Sequence, residues 1–139
     1  MKKRTPVSDI MTKNVITLNT TDDLDKAENL FKLHSIRHIP VVSGEAIIGM
    51  LSYTDLLRIS YADATDDQDS NVDTVVYNMF TIQQVMAKNL ISVSSNTTIK
   101  EVAELLSKKE FHALPVVDNN VLVGIVTTTD LINYLINQF

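Results

Sequence analysis

Two short stretches of this chain set a hydroxyl three residues ahead of a carboxylate, Ser52-x-x-Asp55 and Thr127-x-x-Asp130. Each closes the same run of glycine, two apolar residues, a hydroxyl residue, two further residues and aspartate. The runs are Gly49-Met50-Leu51-Ser52-Tyr53-Thr54-Asp55 and Gly124-Ile125-Val126-Thr127-Thr128-Thr129-Asp130. In form these are capping boxes, in which the hydroxyl satisfies a free amide at a helix start and the acid interacts favourably with the positive end of the helix dipole. The same arrangement presents a hydroxyl, free N–H groups and one carboxylate together, which is also how a protein holds a phosphate beside a ribose. Capping and ligation are compatible, and the motif alone leaves both open.

Cationic side chains precede each motif unequally. Arg37 and His38 stand before Pro40, whereas His112 and Ala113 stand before Pro115; after the aspartates, Arg58 is matched by Asn133. Phosphate prefers the first set, where Arg37 offers a bidentate fork and His38 a donor that strengthens on protonation. Either residue also reads as a solvated group at a helix end. His34, in the lysine-rich polar part of its helix, reads as structural. No serine, threonine or histidine stands in a sequence context that activates a nucleophile, and no His-x-x-x-His spacing occurs, so no catalytic or metal site is expected.

The elements that must position these groups belong to one ordinary domain of 139 residues with 45% hydrophobic content. A chain of this size buries roughly two-thirds of its unfolded surface. Cysteine is absent, which excludes disulfides and thiol chemistry and accords with a cytoplasmic setting. The longest apolar runs, Ala46 to Leu51 and Val121 to Val126, fall far short of the ~18 residues of a membrane span. A net charge of −5 argues against broad nucleic-acid binding, and Lys2-Lys3-Arg4 reads as a solvated terminus rather than a signal peptide.

Compared with itself at an offset of 75 residues, the chain aligns without a gap, and twelve of the 48 positions from Ile10 to Leu57 match those from Val85 to Ile132. Pro40 and Gly49 recur as Pro115 and Gly124, so the backbone punctuation is duplicated. Each copy reads strand, helix, strand, strand, helix. Val15 to Leu18 and Leu90 to Val93 are β-prone, and polar clusters at Asn19 to Asp23 and Ser94 to Thr98 cap the helices that follow. Leu24, Ala27, Leu30 and Phe31 share one helix face, as do Ile99, Val102, Leu105 and Leu106. Hairpins turn at Ser43-Gly44-Glu45 and Asp118-Asn119-Asn120, where glycine and asparagine tolerate positive φ. The last helices carry Leu56, Leu57 and Tyr61, or Leu131, Ile132 and Ile136, at one-sided spacing. The expected division is a first repeat at 7–62, an acidic linker at 63–77 and a second repeat at 78–139. Neither copy buries its apolar faces well alone, so the two are expected to pack together. The linker fragment Asp67-x-Asp69-x-Asn71 resembles a calcium loop, but Val72 fills the glycine slot and Asn78 the glutamate slot, which leaves a solvated acidic loop.

The ordered, doubled set of motifs resembles the CBS domain family: Ile10-Met11 and Val85-Met86 at the start, His38-Ile39-Pro40-Val41-Val42 and Ala113-Leu114-Pro115-Val116-Val117 at the centre, and the Gly-x-x-Ser/Thr-x-x-Asp ends. The tandem resembles a CBS pair, or Bateman module, over nearly all of residues 7 to 138, with no room for an attached enzyme or channel domain. The resemblance implies an α+β, sandwich-like fold with two β-α-β-β-α repeats in pseudo-two-fold symmetry. It also implies an adenosyl ligand such as AMP, ADP, ATP or S-adenosylmethionine in clefts between repeats, with no obligatory cofactor, and a homodimer. By that resemblance Asp55 and Asp130 take ribose hydroxyls, and Ser52, Thr54, Thr127 and Thr129 take phosphate or ribose oxygens. Residues around Ile16-Thr17, Ile91-Ser92, Ile39-Pro40 and Leu114-Pro115 enclose the adenine; apart from the resemblance, charge alone adds Arg37, His38 and, to a lesser degree, His112 as phosphate contacts. The function expected is a cytoplasmic regulatory sensor acting on a protein partner of unknown identity, not an enzyme; the alternative is a ligand-free dimerisation or docking pair.

Overall fold

A computed structural model of the chain describes residues 4–63, 79–109 and 111–139. The acidic segment with Asp66, Asp67, Asp69 and Asp73, like Lys2 and Lys3, lies outside the described residues. Two compact units are present. One is Ile16–Asn89; the other joins Met1–Val15 to Leu90–Phe139. The duplicated sequence is therefore not folded repeat by repeat, because the lead segment of each copy belongs to the unit built around the hairpin of the other.

In the unit Ile16–Asn89, β1 (Leu18–Asn19) runs parallel to β2 (His38–Ser43), which pairs antiparallel with β3 (Ala46–Ser52). The helix α1 (Leu24–His34) lies between β1 and β2 in sequence, α2 (Tyr53–Asp63) follows β3, and the single turn α3 (Ile82–Val85) comes from the second lead segment. Asp23 caps α1 by accepting the Lys26 amide at 2.8 Å. Leu24, Ala27 and Phe31 bury the predicted helix face among Leu18, Ile39, Val41, Leu51 and Leu56. Ile82 and Met86 complete this core from outside the first repeat.

The unit containing the C-terminus repeats the plan. A 3-10 turn at Val7–Asp9 leads, α4 (Ile99–Lys108) is capped by Thr98, and β4 (Ala113–Asp118) pairs antiparallel with β5 (Val121–Thr127) before α5 (Thr128–Ile136). Val7 joins Val93, Val102, Leu114, Val116 and Val126 in a separate core. Asn119 and Asn120 take the positive φ angles expected of the turn, 51° and 66°, and Gly44 takes 63° in the other hairpin. Both hairpins slip register at the same place, between Val41 and Val42 and between Val116 and Val117.

One sequence expectation needs correction. The predicted strands Val15 to Leu18 and Leu90 to Val93 shrink to Leu18–Asn19 and to a single bridge of Val93 with Val116. Their earlier residues carry the chain from one unit to the other and so lie on no ladder. The apolar residues of the last helices divide by burial: Leu56 is buried and Leu131 packs against the second core, while Leu57, Ile132, Leu135 and Ile136 are exposed.

Candidate functional site: two matched helix starts

Each hairpin delivers its second strand directly into a helix, so the hydroxyl and the aspartate arrive together. At α2, Ser52 Oγ accepts the amide of Asp55 at 3.0 Å. At α5, Thr127 Oγ1 accepts the amide of Asp130 at 3.2 Å, and Asp130 Oδ2 accepts the amide of Thr127 at 2.9 Å, closing a reciprocal capping box. The capping account of the motif is therefore realised in both copies. The carboxylates nevertheless differ in engagement, since Asp55 Oδ1 faces Arg58 Nη1 at 3.4 Å. Both aspartates remain half-buried, and Thr54 and Thr129 are exposed.

The segment before each proline is tied to the same helix start. The carbonyl of Arg37 accepts the amide of Tyr53 at 2.9 Å; the carbonyl of His112 accepts both the amide and the hydroxyl of Thr128, at 3.0 and 3.2 Å. His38 is half-buried at the head of β2, directly opposite Ser52, while the side chains of Arg37 and His112 are exposed. Arg37 and His38 thus precede or head the strand tied to the α2 start, where Arg58 faces Asp55, and His112 holds the corresponding place at the α5 start, where Asn133 replaces the arginine.

The apolar residues divide by burial. Ile39 and Leu114 lie within the two cores, 0% and 1% exposed, and Pro40 and Pro115 are buried on the same strands. Ile16 and Ile91 are half-buried, and Thr17 and Ser92 exposed, immediately before the residues that pair with β2 or β4. Of the apolar residues expected around the base, Ile16 and Ile91 are the ones left half-buried. All of Ile16, Thr17, Arg37, His38, Ile39, Pro40, Ser52, Thr54 and Asp55 lie in one unit. Ile91, Ser92, His112, Leu114, Pro115, Thr127, Thr129 and Asp130 lie in the other.

Sequence reasoning missed the single-turn helix Ile82–Val85 and its capping box, although Thr81-x-x-Gln84 is the signature of one. It also missed the role of the duplicated methionines. A Cβ on Gly49 would collide with the Met86 thioether, and one on Gly124 would lie 2.6 Å from Met11 Sδ. The matched glycines are thus seats for methionines carried by the other repeat. Among the described residues no three His, Asp or Glu side chains are grouped to hold a metal ion, and no helix is long and apolar enough to cross a membrane.

Comparison with known proteins matches the CBS domain family to residues 7–62 and 82–137. The CBS domain-containing protein YhcV of Bacillus subtilis is 31% identical over 133 residues, covering 95% of this chain and 87% of that protein. A homoserine O-acetyltransferase of Methanococcus vannielii is 32% identical over 91% of this chain, but the match spans only 24% of the enzyme. Among solved structures, the CBS domain pair of protein MJ0100, crystallised with 5′-methylthioadenosine and S-adenosyl-L-methionine, superposes with a TM-score of 0.77 at 27% identity. It covers 97% of this chain and 98% of that one.

Proposed function

The chain belongs to the CBS domain family, and from that premise we propose that it is a regulatory module that binds an adenosyl compound and passes on its occupancy. The observation that carries this reading is the doubled helix start, where a half-buried carboxylate, a capping hydroxyl and an exposed threonine recur in a unit that also carries a half-buried isoleucine, Ile16 or Ile91. Asp55 and Asp130 hold ribose hydroxyls, a task for which two carboxylate oxygens suit a vicinal diol. Ser52, Thr54, Thr127 and Thr129 contact ribose or phosphate oxygens, and Ile16 and Ile91 lie against the base. The adenosyl ligands in the MJ0100 pair support this class of ligand, with AMP, ADP, ATP and S-adenosylmethionine as the candidates.

The same reading makes the protein a homodimer, because Ile132, Leu135 and Ile136 of α5 and Phe139 beyond it are exposed, more apolar surface than a small domain ordinarily leaves uncovered. It acts in the cytoplasm on a separate protein partner, without catalysis of its own. That exposed face also favours a second reading, a pair that only dimerises or docks. Calorimetric titration with AMP, ADP, ATP, S-adenosylmethionine and NAD separates the two. Saturable binding of at least one adenosyl compound is expected, and heat-silent titrations that agree with an absence of binding by equilibrium dialysis across the whole panel would leave only the dimerisation reading.

A further inference from the structure

The two lead segments are clamped by one device. Ala87 and Met50 exchange both backbone hydrogen bonds, at 2.9 and 3.0 Å, and Thr12 and Ile125 do the same at 2.8 and 3.0 Å. The preceding methionine fills the space over glycine in each case, Met86 over Gly49 and Met11 over Gly124. Both clamps grip the strand two residues before the capping hydroxyl, Ser52 or Thr127. Six residues further on, the chain is pinned again in the other unit. Leu18 pairs with Val41; the Val93 amide donates to Pro115 O at 3.1 Å and the Val117 amide to Val93 O at 2.8 Å. The residues between these fixed points are Lys13 to Thr17 and Lys88 to Ser92, and they include Ile16-Thr17 and Ile91-Ser92.

We infer that Met11–Thr12 and Met86–Ala87 are positioning residues, each pair setting the place of the apolar segment that serves the opposite unit's site. Neither connector contains glycine, and β-branched Val15, Ile16, Thr17 and Ile91 stiffen them. A connector held at both ends transmits a shift in one hairpin to the residues before the other unit's parallel pairing. Because the arrangement is duplicated, each helix start communicates with the apolar wall of the other, and the coupling is reciprocal as binding linkage requires. The identification of those walls with a ligand site rests on the proposed function; the clamp does not.

Amide hydrogen exchange without any ligand tests the clamp. In Gly124→Ala the new methyl group displaces Met11, and exchange at Leu18 and Asn19, in the other unit, is expected to quicken about tenfold while Ala27 and Phe31 of α1 keep their protection. Adding Met11→Ala to Gly124→Ala removes the thioether clash but leaves Thr12 O 3.0 Å from the new Cβ, so protection at Leu18 and Asn19 is expected to recover in part, which a general loss of stability would not allow. Acceleration confined to residues 90–139, or spread equally through α1, would overturn the inference. Met11→Ala alone, which empties the contact without crowding it, carries the same two outcomes should Gly124→Ala not fold. With no ligand present, a failure here counts against the clamp alone, and a failure to bind adenosyl compounds counts against the proposed function alone.

Discussion

The carboxylate of Asp55 lies 3.4 Å from the guanidinium of Arg58, whereas its counterpart Asp130 spends one oxygen on the amide of Thr127 at 2.9 Å and has Asn133 in place of the arginine. Two sites built from one duplicated motif therefore differ in charge. The Arg58 side chain is largely exposed, so its pairing with Asp55 contributes little to stability, and its guanidinium is free to turn to an anionic ligand.

Phosphate-bearing ligands should accordingly depend on the first set of cations. Arg37→Ala is expected to weaken AMP or ATP binding by about 1.5–3 kcal/mol, the usual worth of a hydrogen bond to a charged group, and His112→Ala by less. Titration of both variants at one fixed salt concentration checks this, since screening otherwise imitates a lost contact. Equal affinities in wild type and Arg37→Ala would exclude Arg37 as the anchor.

The capping role is separable from ligation by stability alone. Thr127→Ala removes the acceptor for the Asp130 amide and should cost about 1 kcal/mol in chemical denaturation, with Ser52→Ala close behind. Thr129→Ala, at an exposed residue within α5, should change stability by less than about 0.5 kcal/mol while still lowering ligand affinity. A Thr129→Ala variant that binds like the wild type would remove that residue from the site.

Acid should loosen the turn before α1 and its counterpart before α4, through Asp22 in the first and, in the second, through Asp118, which is likewise held below the ordinary carboxylate value by the Ser95 side chain and by the Ser95 amide at 3.0 Å. Asp22 is held below the ordinary carboxylate value of 3.8, first because the Asn19 amide donates to it at 2.8 Å and further because Lys26 lies at 3.0 Å. Folding thus favours the charged form, so its contribution is complete above that ordinary value and is lost as pH falls below it and through the folded value. At the matched position Thr97 accepts the Ser94 amide at 3.0 Å and does not titrate. Asp22→Thr should therefore flatten in part the dependence of stability on pH below about 4, measured by denaturation. An unchanged acid limb in this variant would show that Asp22 contributes nothing to it.

Much of this was legible from residues that act on their neighbours. Asp23 and Thr98 announced their helices, and Gly44 and Asn119-Asn120 their turns, because caps and turns are local in sequence. The exchange of lead segments was not legible. Self-comparison places Met11 with Gly49 in one copy and Met86 with Gly124 in the other, whereas the chain pairs Met86 with Gly49 and Met11 with Gly124. A duplicated sequence carries the same contacts under either arrangement, so its pattern cannot choose between them. Ser35, left-handed at φ 53° where α1 ends, escaped notice because neither glycine nor asparagine stands there. Helical spacing also shows which apolar residues of α5 share a face, and Ile132, Leu135 and Ile136 are exposed on it.

That face supports a prediction about assembly. The protein should sediment as a dimer, two-fold closure being the default for identical chains. Ile136→Glu, placing a charge at a residue 61% exposed, should shift it to monomer with little loss of unit stability. A monomeric mass for the wild type across a wide concentration range by light scattering would contradict the dimer.

The central claim is that the duplicated aspartates hold an adenosyl ligand, and the most direct measurement is calorimetric titration of AMP and S-adenosylmethionine into wild type, Asp55→Asn, Asp130→Asn and the double variant, each first shown by denaturation to be folded. Loss of two or more charge-assisted bonds to ribose predicts that affinity for whichever compound binds falls at least about tenfold in one single variant and beyond detection in the double. Undiminished binding in the double variant would contradict the account and leave the carboxylates as helix caps alone.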